Sequence, residues 1–137
     1  MLTKRVRYAD LNAPQRERFN AAKLAAALAD FGYHTIRLSD DWGGADVIAI
    51  HVSGTSDVRI QIKGRLTLAR KYQGKGLFIA FFDKGAGWIV YPHDQLLQLI
   101  EPKIAHTVSW AEHGLYTWPS LPEWAGPLLR EFRLEGD

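Results

Sequence analysis

The spacing of apolar and polar positions changes repeatedly along this chain, and each change marks an element. Residues 15–31 are rich in Ala, Leu, Arg and Lys. Asn12 stands before them as a cap and Pro14 as a helix-opening proline, and Gly32 ends the run, which predicts a helix. Residues 33–38 alternate, as a half-buried strand does, and residues 39–44 have the Asp and Gly content of a turn. Residues 45–52 are almost continuously apolar and β-branched, the pattern of a central strand covered on both faces. A Ser-Gly-Thr-Ser turn at 53–56 returns the chain into a strand at 57–63.

The stretch 66–76 is basic and fits a short strand, a broken helix or a binding loop. Residues 77–82 and 88–91 read as a second hairpin. A helix is expected from His93 to about Ile100, with Leu96, Leu97 and Ile100 as its buried stripe. The last third holds Trp110, Trp118 and Trp124 among prolines, with another helix expected over 122–132. The tryptophans read as packing for these helices. This order predicts one α+β domain over residues 1–137, sandwich-like, with an N-terminal helix, a mixed central sheet and C-terminal helices.

Composition narrows the chemistry. The 137 residues include no cysteine, which excludes disulfides, thiolate metal sites and cysteine nucleophiles. No run approaches a membrane span and the N-terminus has no apolar signal, so a cytoplasmic protein without a membrane partner is expected. The five histidines show no metal-site spacing, Lys75 is not followed by the Ser or Thr of a phosphate loop, and no G-x-S-x-G elbow occurs.

Three polar residues break the strand pattern together. Asp46 opens the most apolar strand, and Gln61 and Lys63 share one face of the next while Ile60 and Ile62 take the other. With the turn at 53–56, Val52 pairs with Asp57 and Asp46 falls opposite Lys63, about 5 Å away, and diagonal to Gln61. On the first helix, at about 100° per residue, Glu17 falls on the stripe of Ala21, Leu24, Leu28 and Phe31 and is expected to point inward. Asp46, Glu17 and the amide oxygen of Gln61 are hard oxygen donors suited to Mg²⁺ or Mn²⁺. Lys63 beside them could hold water or neutralise a phosphate.

Gly43-Gly44-Ala45-Asp46, an apolar strand and then Gln61-Ile62-Lys63 resembles the PD-(D/E)XK nuclease superfamily, over about residues 14–91. Gln61 replaces the usual acid of the third motif, a variant similar to that of cyanobacterial group I intron homing endonucleases. The resemblance implies a restriction-endonuclease-like core and a Mg²⁺- or Mn²⁺-dependent endonuclease, a phosphodiester hydrolase. Asp46 would be the central metal ligand, Gln61 the third-motif ligand, Lys63 the catalytic lysine and Glu17 the helix acid. The main-chain carbonyl of Ile62 would be a further metal ligand.

Charge agrees with a nucleic-acid partner. Residues 57–84 carry seven Lys and Arg against two Asp, a net +5, although the whole chain is only +2. Arg65, Arg70, Lys71 and Lys75 are the candidate phosphate contacts, with Tyr72 and Gln73 as base or sugar contacts. The expected partner is double-stranded DNA, and cutting both strands implies a homodimer or higher homo-oligomer, formed through the C-terminal helices and their aromatics. Two alternatives stand beside the enzyme: a nucleic-acid-binding module on the same scaffold without catalysis, and a protein-interaction domain using the tryptophan-rich C-terminal region.

Overall fold

Asn12 and Gln15 close a reciprocal cap: Asn12 Oδ1 accepts the Gln15 N–H and Gln15 Oε1 accepts the Asn12 N–H, both at 2.9 Å. They start helix α1 (Ala13–Ala29), with Pro14 in its first turn. Gly32, at φ 85°, then turns the chain into strand β1 (Tyr33–Trp42). The computed structural model describes residues 2–135 and, of residues 41 and 42, the backbone only.

Strands β2 (Ala45–His51), β3 (Asp57–Ile62), β5 (Leu77–Asp83) and β6 (Gly87–Pro92) join β1 in a five-stranded sheet of order β1-β2-β3-β5-β6. All neighbours are antiparallel except β3 and β5, which run parallel. That parallel pair requires a crossover, and the basic stretch supplies it as strand β4 (Thr67–Ala69), a 3-10 turn (Arg70–Tyr72) and a loop. The C-terminal third forms α2 (His93–Ile104), α3 (Val108–His113), β7 (Leu115–Thr117) and α4 (Ala125–Leu129). Strand β7 pairs with β4 in a separate two-stranded sheet. The architecture is α+β, as expected.

Each sheet face has its own core. Leu24 and Leu28 of α1 pack on Val47, Ala49, Ile60, Ala80 and Trp88, and burying each leucine contributes roughly 1.5–3 kcal/mol. On the other face Leu77, Ile79 and Phe81 meet Leu96, Leu97 and Ile100 of α2, together with Leu68, Tyr72, Trp110 and Trp118. Tyr91 ties the crossover to the sheet: its hydroxyl accepts the Thr67 N–H at 3.1 Å and donates to the Thr67 carbonyl. This second face is covered unevenly. Ile36, Ile48, Arg59 and Leu77 stand level across β1, β2, β3 and β5. Leu77 is buried, Ile48 half-buried, and Ile36 and Arg59 exposed.

Several expectations change here. The turn predicted over 39–44 is mostly strand, with its register shifting between Arg37 and Trp42, and only Gly43 and Gly44 form the turn. The β2–β3 turn begins one residue early, because Gly54 N–H bonds to the His51 carbonyl and His51 N–H to Ser56. The Ser53 hydroxyl, within 2.9 Å of His51 Nδ1 and 2.7 Å of Thr55 Oγ1, holds that loop. The expected helix over 122–132 is only α4 and a 3-10 turn, and α3 and β7 lie outside the sequence expectation.

Candidate metal and nucleic-acid site

The early turn moves the β2–β3 register by two residues. Ile50 pairs with Asp57 and Val47 with Ile60, so Asp46 comes level with Gln61 and not with Lys63. An even shift leaves every side chain on its expected face, and Gln61 and Lys63 still project away from Ile60 and Ile62.

The two strands part at this end. Main-chain pairs alternate from His51 and Ser56, so the next bond in the ladder would join Ile62 to Ala45. Instead Asp46 Oδ2 accepts the Ile62 N–H at 2.8 Å. Strand β3 stays with its other neighbour, since Lys63 N–H bonds to the Ala80 carbonyl at 2.8 Å. The Gln61 amide nitrogen stands 3.5 Å from the Ile62 carbonyl, a contact at the limit of a hydrogen bond and cheap to give up. The carboxylate of Asp46 and the amide of Gln61 therefore meet at the main chain of one residue, Ile62, the first at its N–H and the second at its carbonyl.

These donors fit a hard divalent cation in type, all being oxygens, with one carboxylate and two neutral groups and water to complete the shell. Among the described residues no group of three His, Cys, Asp or Glu side chains could hold a metal. A cation here would depend on the amide and the main-chain oxygen.

Lys63 is half-buried, with Nζ 5.7 Å from the centroid of the buried Tyr72 ring. Among the described residues it forms no ion pair. A structural Asp46–Lys63 pair is thus not what holds this end of the hairpin.

Glu17 is not gathered into the group. Its side chain is 74% exposed, and Oε2 lies 3.8 Å from Arg37 Nη2. The apolar stripe has the expected azimuth but is shorter than the helical phase alone implies. Glu17 reaches Arg37, which pairs with Val47 on the α1 side of the sheet, whereas Gln61 and Lys63 face the other side; Phe31, past the helix end, is also exposed.

The crossover candidates separate into three kinds. Arg65, Lys71, Gln73 and Lys75 are exposed, as phosphate or sugar contacts must be. Arg70 is engaged internally: its Nη2 donates to the Trp110 carbonyl at 2.8 Å and its guanidinium lies over the Trp110 ring. Tyr72 is only 4% exposed, so it packs in the core and contacts no base. Its ring edge meets the His93 ring at 5.6 Å.

Arg59 enters the sequence reading only as charge, yet it shares the face of Gln61 and Lys63, two residues before Gln61. It is exposed, and Nη2 donates to the Lys75 carbonyl at 2.8 Å, linking β3 to the basic loop. Strand alternation was the signal that could have found it. Trp110 and Trp118 are buried, as expected of packing residues, which leaves neither for a dimer surface. Among the described residues no helix is long and apolar enough to cross a membrane. No family model, curated protein or solved structure matches the chain.

Proposed function

We propose that this protein is a metal-dependent endonuclease of the PD-(D/E)XK type that hydrolyses phosphodiester bonds in DNA. The observation that carries the reading is the parting of β2 and β3 at Asp46, which leaves the Asp46 and Gln61 side chains at the N–H and the carbonyl of one residue, Ile62. Asp46, Gln61 and Ile62 would hold Mg²⁺ or Mn²⁺, which when bound supplies Lewis-acid polarisation of the scissile phosphate. The Ile62 N–H keeps the Asp46 carboxylate oriented. Lys63, free of ion pairs among the described residues, donates to a phosphate oxygen or holds the attacking water. Arg59, Arg65, Lys71 and Lys75 grip the backbone on either side. Two copies of the chain would cut the two strands.

A second reading rests on the donor set itself. With Gln61 in place of an acid the site has a single carboxylate of its own, which suits a DNA-binding module without cleavage. Nicking of supercoiled plasmid in Mg²⁺ separates the two. The nuclease reading expects nicking that Asp46→Ala and Lys63→Ala each abolish. Nicking that survives both variants overturns the assigned site, and salt-sensitive binding with no metal-dependent step favours the second reading.

A further inference from the structure

His93 is fully buried, and its two ring nitrogens have different partners. Nε2 accepts the Ala69 N–H at 3.0 Å, so the proton must sit on Nδ1, which donates to Asp94 Oδ1 at 2.9 Å. The other carboxylate oxygen, Oδ2, accepts the Gly74 N–H at 2.9 Å. The His93 hydrogen bond is the main reason the Asp94 carboxyl is held below its ordinary range, with the Gly74 amide adding to it and partial burial opposing both. Two adjacent residues at the start of α2 thus clasp the basic crossover at both ends of the segment 69–74. Between those ends lies Tyr72, whose ring packs on His93 and carries the Lys63 and Lys71 ammonium groups at 5.7 and 5.2 Å.

We infer that His93 and Asp94 are positioning residues that fix the basic crossover, and through the Tyr72 ring the ammonium groups of Lys71 and Lys63, in the arrangement that receives the DNA backbone. Neither touches DNA; the role rests on the nuclease reading above, while the clasp itself is measurable without DNA. Asp94 is suited to this because it uses two acceptor oxygens at once. The two donors meet different oxygens of Asp94, and asparagine replaces one of them with an NH2 donor, so in this geometry it can serve the His93 Nδ1–H or the Gly74 N–H but not both. Turning the histidine to its other tautomer only moves the conflict, because an Nε2–H would then face the Ala69 N–H.

The test is Asp94→Asn, an isosteric change at a side chain that is half exposed. Amide exchange without DNA, and binding of a labelled duplex across a salt series, are measured beside wild type and Asp30→Asn. Both variants remove one negative charge, so electrostatics alone would tighten DNA binding in both. The inference expects Asp94→Asn to speed exchange at Ala69 or Gly74 at least tenfold and to weaken duplex binding about tenfold, with Asp30→Asn binding as tightly as wild type or tighter. Unchanged exchange, or faster exchange with unchanged or tighter binding, overturns it. Should wild type bind no duplex at low salt, the nuclease reading fails and the positioning role toward DNA falls with it; exchange at Ala69 and Gly74 then tells whether the clasp exists. His93→Gln, which keeps an acceptor for Ala69 but loses the ring against Tyr72, is expected to give an intermediate loss of binding, and wild-type affinity in it also contradicts the inference.

Discussion

Asp46 accepts the main-chain N–H of Ile62 at 2.8 Å at the point where β2 and β3 cease to pair. A carboxylate in place of a ladder carbonyl satisfies the amide and opens the sheet, and it brings the side chains of Asp46 and Gln61 to the main chain of the same residue, Ile62. Stability and the proposed chemistry therefore share one hydrogen bond. Deleting the carboxylate leaves a part-buried N–H without its partner, at a cost of about 1–3 kcal/mol.

Gln61 gives the most informative gain-of-function change. Gln61→Glu adds a second carboxylate level with Asp46, and Mn²⁺ affinity measured by titration calorimetry is expected to rise about tenfold, equivalent to about 1.4 kcal/mol. Unchanged affinity would remove Gln61 from the donor set.

The cations of the crossover should separate into two behaviours. Alanine at Arg59, Lys71 or Lys75 is expected to weaken duplex binding and to reduce the slope of log K against log salt by about 0.9 for each phosphate no longer neutralised. Alanine at Arg70 is expected instead to lower the melting temperature, since the guanidinium bonds to the Trp110 carbonyl and covers its ring. A normal melting temperature together with a reduced salt slope would return Arg70 to the binding surface.

Glu17→Gln is expected to leave plasmid nicking within about threefold of wild type and to change stability by less than about 1 kcal/mol, as for an exposed ion pair. Abolished nicking with an unchanged fold would contradict its placement at the surface.

The contrast between Glu17 and Asp46 shows where sequence periodicity carries information. Alternation along β3 puts Gln61 and Lys63 on one face regardless of register, because a two-residue slip preserves the face. The level of Asp46 depends on where the turn starts, which the Ser53 hydroxyl contacts decide locally. Helical phase puts Glu17 on the side of α1 that faces the sheet, but α1 packs on the face of Val47 and Ile60, opposite to Gln61 and Lys63, and phase does not say which face a helix covers. Trp110 and Trp118 are legible as core, while Tyr72 is not, since a lone aromatic among lysines looks the same whether it faces solvent or the buried His93. Strands β4 and β7 are too short to give a period, and they pair only because the fold brings 67–69 beside 115–117.

Tyr91 gives a pH prediction. Burial pushes its phenol far above the ordinary range, against the opposing pull of the Thr67 hydrogen bond. A group raised in the folded state contributes stability that is complete below the unfolded value of 10.0 and declines as pH rises beyond it. Urea denaturation should show wild type losing stability above about pH 10, with a shallower decline in Tyr91→Phe. At neutral pH that variant should be less stable by about 2 kcal/mol, because the N–H and carbonyl of Thr67 lose their partner. Equal stability at neutral pH would contradict the anchoring role.

The central claim is that Asp46, Gln61 and the Ile62 carbonyl form one cation site. Anomalous scattering from crystals soaked in Mn²⁺ tests it most directly: a peak bounded by those three oxygens, absent in Asp46→Ala, is the expected result, and a wild-type map with no peak there would contradict it.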